Sequence, residues 1–169
     1  NDNKVLYDFF RTGIYDKKRE FILTSSPSMD ILISSNLERL IYLSTGCDAE
    51  ANRSLMEQLN TQGSYEVTET MKEAMKDFTG GFATEAENAA EIKKVYEDTG
   101  YVIDTHTGVA SAVYRAYAEK TGDTTPTVIA STASPYKFSH SVMEAIRGDE
   151  GSKDEFAIID ELCSCLLYT

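Results

Sequence analysis

The chain has 169 residues, 41% of them hydrophobic, with 28 acidic against 16 basic residues and a formal charge of −12. That apolar content suffices for one packed domain over 1–169, and the negative charge argues against nucleic acid or an anionic membrane surface as partner. No apolar run reaches the ~20 residues that span a bilayer. The opening NDNKVLYDFF has no signal-peptide layout, and Cys47, Cys163 and Cys165 have neither a zinc spacing nor a disulfide pattern, so a reduced, cytoplasmic protein without a structural metal is expected.

In chain order, residues 3–11 (NKVLYDFFR) predict a short amphipathic helix closed by Gly13. A loop over 14–25 follows, with room for a short strand at 21–24. The run SSPSMDILISSNLERLIY (25–42) then predicts a helix over 27–45, with Ser26 as N-cap and Pro27 in the first turn. Met29, Leu32, Ile33, Asn36, Leu37 and Leu40 fall at helical spacing, which puts Asn36 in the apolar stripe, where an amide needs partners. Ser34, Ser35 and Asn36 either brace neighbouring loops or face a ligand. Asp48 caps a helix through Asn60, and Thr68 begins another. The charged stretch 48–76 reads as a helical insertion on the surface.

Phe78–Ala83 (FTGGFA) lacks both the Walker lysine and the GxGxxG spacing, and it reads as a strand entering a turn. Thr84 caps a helix that Gly100 closes. Tyr101–Ile103 reads as a strand, Asp104–Gly108 as a polar turn, and 108–122 as a helix. Thr127–Ser131 (TVIAS) is an apolar strand of the buried type. Helices at 139–147 and 154–167 complete the chain. Strands alternating with helices predict an α/β layered fold, whose ligands meet the carboxyl ends of strands. Two polar turns lie at such ends, 104–108 and 131–137.

Within these turns, Ser131 and Thr132 offer hydroxyls that suit a heterocycle nitrogen, or simply cap the turn. Lys137 offers a positive charge for an anion, or is a solvated cation. His106 could contact substrate or act as an acid or base, or it could pair with loop backbone. Asn36 and Arg39, three apart, share a helix face that could hold an anionic group, although a helical ion pair is the default for Arg39. The cysteines have no basic partner in sequence that would make a thiol reactive.

The blocks SSPSMDILISSNLERLIY, FTGGFAT, VIDTHTGVASAVY and STASPYKF, in that order, resemble bacterial and fungal threonine synthases over nearly the whole chain. The resemblance implies a partial three-layer α/β/α cofactor domain of the type II pyridoxal phosphate (tryptophan synthase β-like) fold. It implies a parent enzyme that converts O-phospho-L-homoserine and water to L-threonine and phosphate. Carried over, Thr132 would hydrogen-bond the pyridine nitrogen, and Asn36, Arg39, His106 and Lys137 would be substrate or cofactor contacts. The family's Schiff-base lysine and its glycine-rich phosphate loop match nothing in these 169 residues. The expectation is therefore an excised central-to-late piece of the catalytic domain, with no catalytic residue of its own. Such a piece would be inactive, would bind the cofactor weakly or not at all, and would be prone to self-association. The competing readings are a stand-alone interaction or ligand-binding module and, less well matched, a different enzyme of the same fold.

Overall fold

In the structure, a computed structural model that describes residues 1–148 and 154–165, the chain divides into two units. One comprises residues 3–22 and 30–81, the other residues 1–2, 23–29 and 82 onward.

In the first unit, α1 (Val5–Thr12) buries Val5 and Phe9, and Gly13 ends it at φ +78°, a conformation that costs glycine nothing. The chain then forms β1 (Ile14–Asp16), a segment read from sequence as loop. β1 pairs antiparallel with β2 (Ser64–Glu66), with Tyr15 opposite Tyr65. These two rings stack at 5.5 Å between centroids, and Phe9 packs against both, so three aromatic rings pin a ladder of only three residues. Between the strands lie α2 (Ser35–Ser44) and α3 (Ala49–Gln62), and α4 (Glu69–Ala74) follows β2. Asp48 and Thr68 cap α3 and α4 as read from sequence, each accepting from backbone N–H groups of the first turn. The stretch 48–76 supplies Leu59, Tyr65, Val67, Met71 and Met75 to the core, alongside Phe9, Tyr15, Leu37 and Ile41.

The single helix expected over 27–45 does not form. A 3-10 turn at Pro27–Met29 is followed by irregular chain, and α2 begins only at Ser35. The reason lies in hydrogen bonds that compete with the helical ladder. The Ser34 hydroxyl caps Leu37 N at 3.3 Å. The Tyr15 hydroxyl accepts from Ser34 N at 2.9 Å and donates to Leu32 O at 3.0 Å. Starting at 35 also sets the register. Leu37 and Ile41 face the core, and Asn36 is exposed rather than buried in the stripe.

In the second unit, α5 (Glu85–Thr99) opens with a reciprocal capping box between Thr84 and Glu87 and packs against α6 (Thr105–Thr121) and α7 (Ser139–Arg147). α8 (Glu155–Cys165) closes on α7, and the expected continuation to Leu167 lies outside the described residues. The core gathers Ile92, Val102, Ile103, Val142, Met143, Ile158 and Leu162. The α5–α6 contact is close at Gly108, where a Cβ would run into Asn88 Oδ1 and into Ile92 Cγ1 at 2.8 Å. A second link is Glu91 on α5, 5% exposed, which accepts from Arg115 Nε and Nη2 at 2.8 Å each and from Ser111 Oγ at 2.6 Å.

The strands expected at 21–24, 78–83, 101–103 and 127–131 carry no ladder, and the β1–β2 pair is the only sheet among the described residues. A strand exists only with a neighbour to bond, and these runs have none there. Val128, in the run of buried type, is 94% exposed.

Candidate functional site

The sequence D-T-H-T, residues 104–107, sits where the chain enters α6, and Asp104 is its N-cap. The helix thus starts three residues before the glycine at which it was expected, and Thr105, His106, Thr107 and Gly108 are all buried. The Asp104 carboxylate, with no exposed side-chain surface, takes four donors. Oδ1 accepts from His106 N at 2.8 Å, Thr107 N at 3.4 Å and His106 Nδ1 at 3.1 Å, and Oδ2 accepts from the Thr107 hydroxyl. Burial raises the Asp104 pKa, but the Thr107 hydroxyl, the two backbone N–H groups and the imidazole together hold it below the usual carboxylate range.

An ionised Asp104 can only accept, and that orders the protons around it. His106 gives its Nδ1 proton to Asp104, which leaves Nε2 as an acceptor, and Nε2 receives Ser28 N–H at 3.1 Å. Thr107 gives its one hydroxyl proton to Asp104, so in the 2.9 Å contact between Thr107 Oγ1 and Ser131 Oγ the serine donates. The His106 ring also packs on Phe138, with centroids 4.7 Å apart. Two turns, 26–29 and 131–138, are thereby tied to the start of α6.

The 24–28 segment is polar and internally bonded. Ser26 is fully buried, and Asn1 Nδ2 donates to Thr24 Oγ1 at 2.9 Å and Ser26 Oγ at 3.1 Å. Asn88 Nδ2 reaches Ser25 Oγ at 3.3 Å.

Of the residues singled out from sequence, His106 is brought together with the 131–138 turn, and both its ring nitrogens are engaged within the chain. Thr132 and Lys137 lie exposed on that turn. Lys137 carries no ion pair among the described residues. Asn36 and Arg39 belong to the other unit and are exposed. Arg39 lines a shallow hollow of about 460 Å³ with Ser35, Glu38, Tyr42, Leu43 and Asn52, and it makes no ion pair among the described residues. Glu38 in the same hollow holds Asn52 Nδ2 at 3.3 Å. Asp104, Thr107 and Ser28 were missed as site residues. The D-x-x-T spacing at a helix start signals the cap, but nothing local signals the histidine's partner 78 positions away.

Residues 107–163 match the family described as threonine synthase, C-terminal. The chain is 36% identical to the human protein named threonine synthase-like 1 over 99% of its own length and 21% of that protein's. It is 34% identical to the threonine synthase of Saccharomyces cerevisiae over 95% of this chain and 34% of that one. The crystal structure of a PLP-bound threonine synthase from Brucella melitensis superposes with a TM-score of 0.80 at 37% identity, covering 95% of this chain and 34% of the other. The chain belongs to the threonine synthase family.

The chain spans between about a fifth and a third of the length of these relatives. The fold is therefore a partial α/β domain similar to part of the Brucella melitensis threonine synthase structure, and runs such as TVIAS carry no ladder among the described residues. The 131–132 turn presents two exposed hydroxyls, and Lys137 an exposed cation. Exposed hydroxyls on a braced turn suit a ring nitrogen, and the exposed Lys137 cation suits an anion. Among the described residues no lysine is buried, no group of three His, Cys, Asp or Glu is placed to hold a metal, and no helix is long and apolar enough to cross a membrane.

Proposed function

We propose that these residues form part of the cofactor domain of a pyridoxal-phosphate-dependent threonine synthase, an enzyme that takes O-phospho-L-homoserine and water to L-threonine and phosphate. The observation that carries this reading is the exposed Ser131–Thr132 hydroxyl turn, braced from α6 by Thr107, in a chain whose relatives include a PLP-bound threonine synthase. When bound, the cofactor ring would act as the electron sink for substrate carbon chemistry. Thr132 would meet the ring nitrogen as a neutral hydroxyl, which does not enforce a protonated ring as a carboxylate would. Lys137 and Arg39 would offer cations, and Asn36 an amide, to the substrate or cofactor anions. Glu38 beside Arg39 opposes an anion, so of the two cations Lys137 is the better placed.

The 169 residues alone would not turn over substrate. A lysine that attacks an aldehyde is activated by desolvation or by a neighbouring charge, and the described lysines are exposed or half-buried. Titration with pyridoxal phosphate, borohydride reduction and intact-mass analysis test this. No single-lysine adduct and no phosphate release from O-phosphohomoserine are expected. Amide shifts confined to residues 131–137 should appear only at millimolar cofactor, a binding energy of about −4 kcal/mol. A stoichiometric adduct on one lysine would overturn the inactivity. Amide shifts confined to other parts of the chain would overturn the assignment of Thr132.

A further inference from the structure

We infer that Asp104 and His106 are positioning residues: the carboxylate fixes the Nδ1–H tautomer of His106 so that Nε2 holds the Ser28 amide, and through Thr107 it holds Ser131 beside Thr132. His106 on this account is neither an acid, a base nor a substrate contact.

Nε2 faces a backbone N–H at 3.1 Å, and a backbone N–H is never an acceptor. A proton on Nε2 would set two donors against each other at 3.1 Å and cost the Ser28 amide its partner within the chain. The Nδ1 proton in turn has Asp104 Oδ1 as its acceptor. The other arm has one direction for the same reason. Thr107 spends its proton on Oδ2, so Ser131 spends its own on Thr107. Ser131 Oγ is left with lone pairs to offer outward, and the exposed Thr132 hydroxyl makes no hydrogen bond among the described residues. One buried carboxylate therefore orders both turns at the start of α6 through bonds within the chain. Its link to the reaction rests on the cofactor-facing reading of the 131–132 turn, whereas the network itself does not.

The test uses the ¹⁵N-labelled 169-residue chain without cofactor. Long-range proton–nitrogen spectra at neutral pH should show His106 with Nδ1 protonated and Nε2 bare. Amide exchange at Ser28 should be slow. His106→Phe keeps a ring beside Phe138 but offers no acceptor, so Ser28 exchange should quicken about tenfold, as loss of one hydrogen bond predicts. Asp104→Asn should shift His106 toward the Nε2–H tautomer. Thr107→Val should leave the tautomer untouched while loosening the 131–133 amides. A purely structural histidine would not couple its tautomer to residue 104. A predominant Nε2–H form in the unmodified chain overturns the inference, as does unchanged Ser28 exchange in folded His106→Phe. Should Asp104→Asn fail to fold, the tautomer of the unmodified chain and His106→Phe still decide it. Because no step uses cofactor, failure of the cofactor titration and failure of this inference are separate results.

Discussion

One added carbon probes the α5–α6 contact. In Gly108→Ala the new Cβ meets Asn88 Oδ1 and Ile92, both fully buried. Overpacking of this kind costs about 1–3 kcal/mol, set against about 1 kcal/mol gained from helix propensity. The net loss should appear as a lower urea midpoint, and pairing the change with Asn88→Ala should recover part of it. If Gly108→Ala alone is neutral or stabilising, the helices are not held at this distance by the missing side chain. The two buried carboxylates make a pH prediction. Glu91 is held below its usual range by the Arg115 guanidinium, with Ser111 assisting against desolvation, and Asp104 is lowered by its donors despite burial. A depressed folded pKa contributes stability that is present above the unfolded value, near 4, and is lost as pH falls through the lower folded value. Urea midpoints taken between pH 6 and pH 3 should drop more steeply for the unmodified chain than for Glu91→Gln. Parallel slopes would mean that Glu91 is not linked to acid unfolding. Residue types at this scale were partly legible. His106 and Thr132 stand out as chemistry-bearing side chains, but which ring nitrogen carries a proton depends on Asp104 and Ser28 together.

At the scale of the element, the helices begin and end where local chemistry dictates. Gly13, Gly63 and Gly100 end their helices in the left-handed conformation, and Asp48, Thr68 and Thr84 cap theirs with side-chain oxygens. Thr84 is the strongest case, because Glu87 Oε2 returns to Thr84 N at 2.7 Å. Thr84→Ala should cost about 1 kcal/mol, or about 2–4 °C in Tm for a chain of this size, with a smaller loss for Thr84→Ser. Equal losses for the two would indicate packing of the threonine methyl rather than capping. The failure of the 27–45 helix has a different origin. Pro27 and Ser26 are good start signals, but the Tyr15 hydroxyl captures Ser34 N and Leu32 O from outside the segment. The β1 strand was illegible for the same kind of reason, since its partner lies 50 residues along the chain.

For the whole molecule, apolar runs without ladders are the leading feature. Val128 at 94% and Leu23 at 82% exposure are unusual for residues of their type. An extended apolar run with unpaired backbone is a template for another strand. The isolated chain should therefore associate with a second copy of itself. Light scattering should give an average mass that rises with concentration, and Val128→Lys should suppress the rise. A constant monomer mass across that range would show that the exposed run does not pair. The −12 charge opposes association at low salt, so the effect should grow as salt is added.

The family, the order of its blocks and most helix boundaries were determined by the sequence itself. A cap is completed within three or four residues, and a run of specific side chains can be matched as a string. Tertiary structure alone decided where α2 begins, which runs pair as strands, and that Asp104 orders two turns through His106 and Thr107. Those outcomes depend on partners such as Tyr15 for Ser34, Ser28 for His106 and Ser131 for Thr107. Each pair is 19 or more residues apart. A hydrogen bond is worth little until the folded chain brings its two halves within about 3 Å.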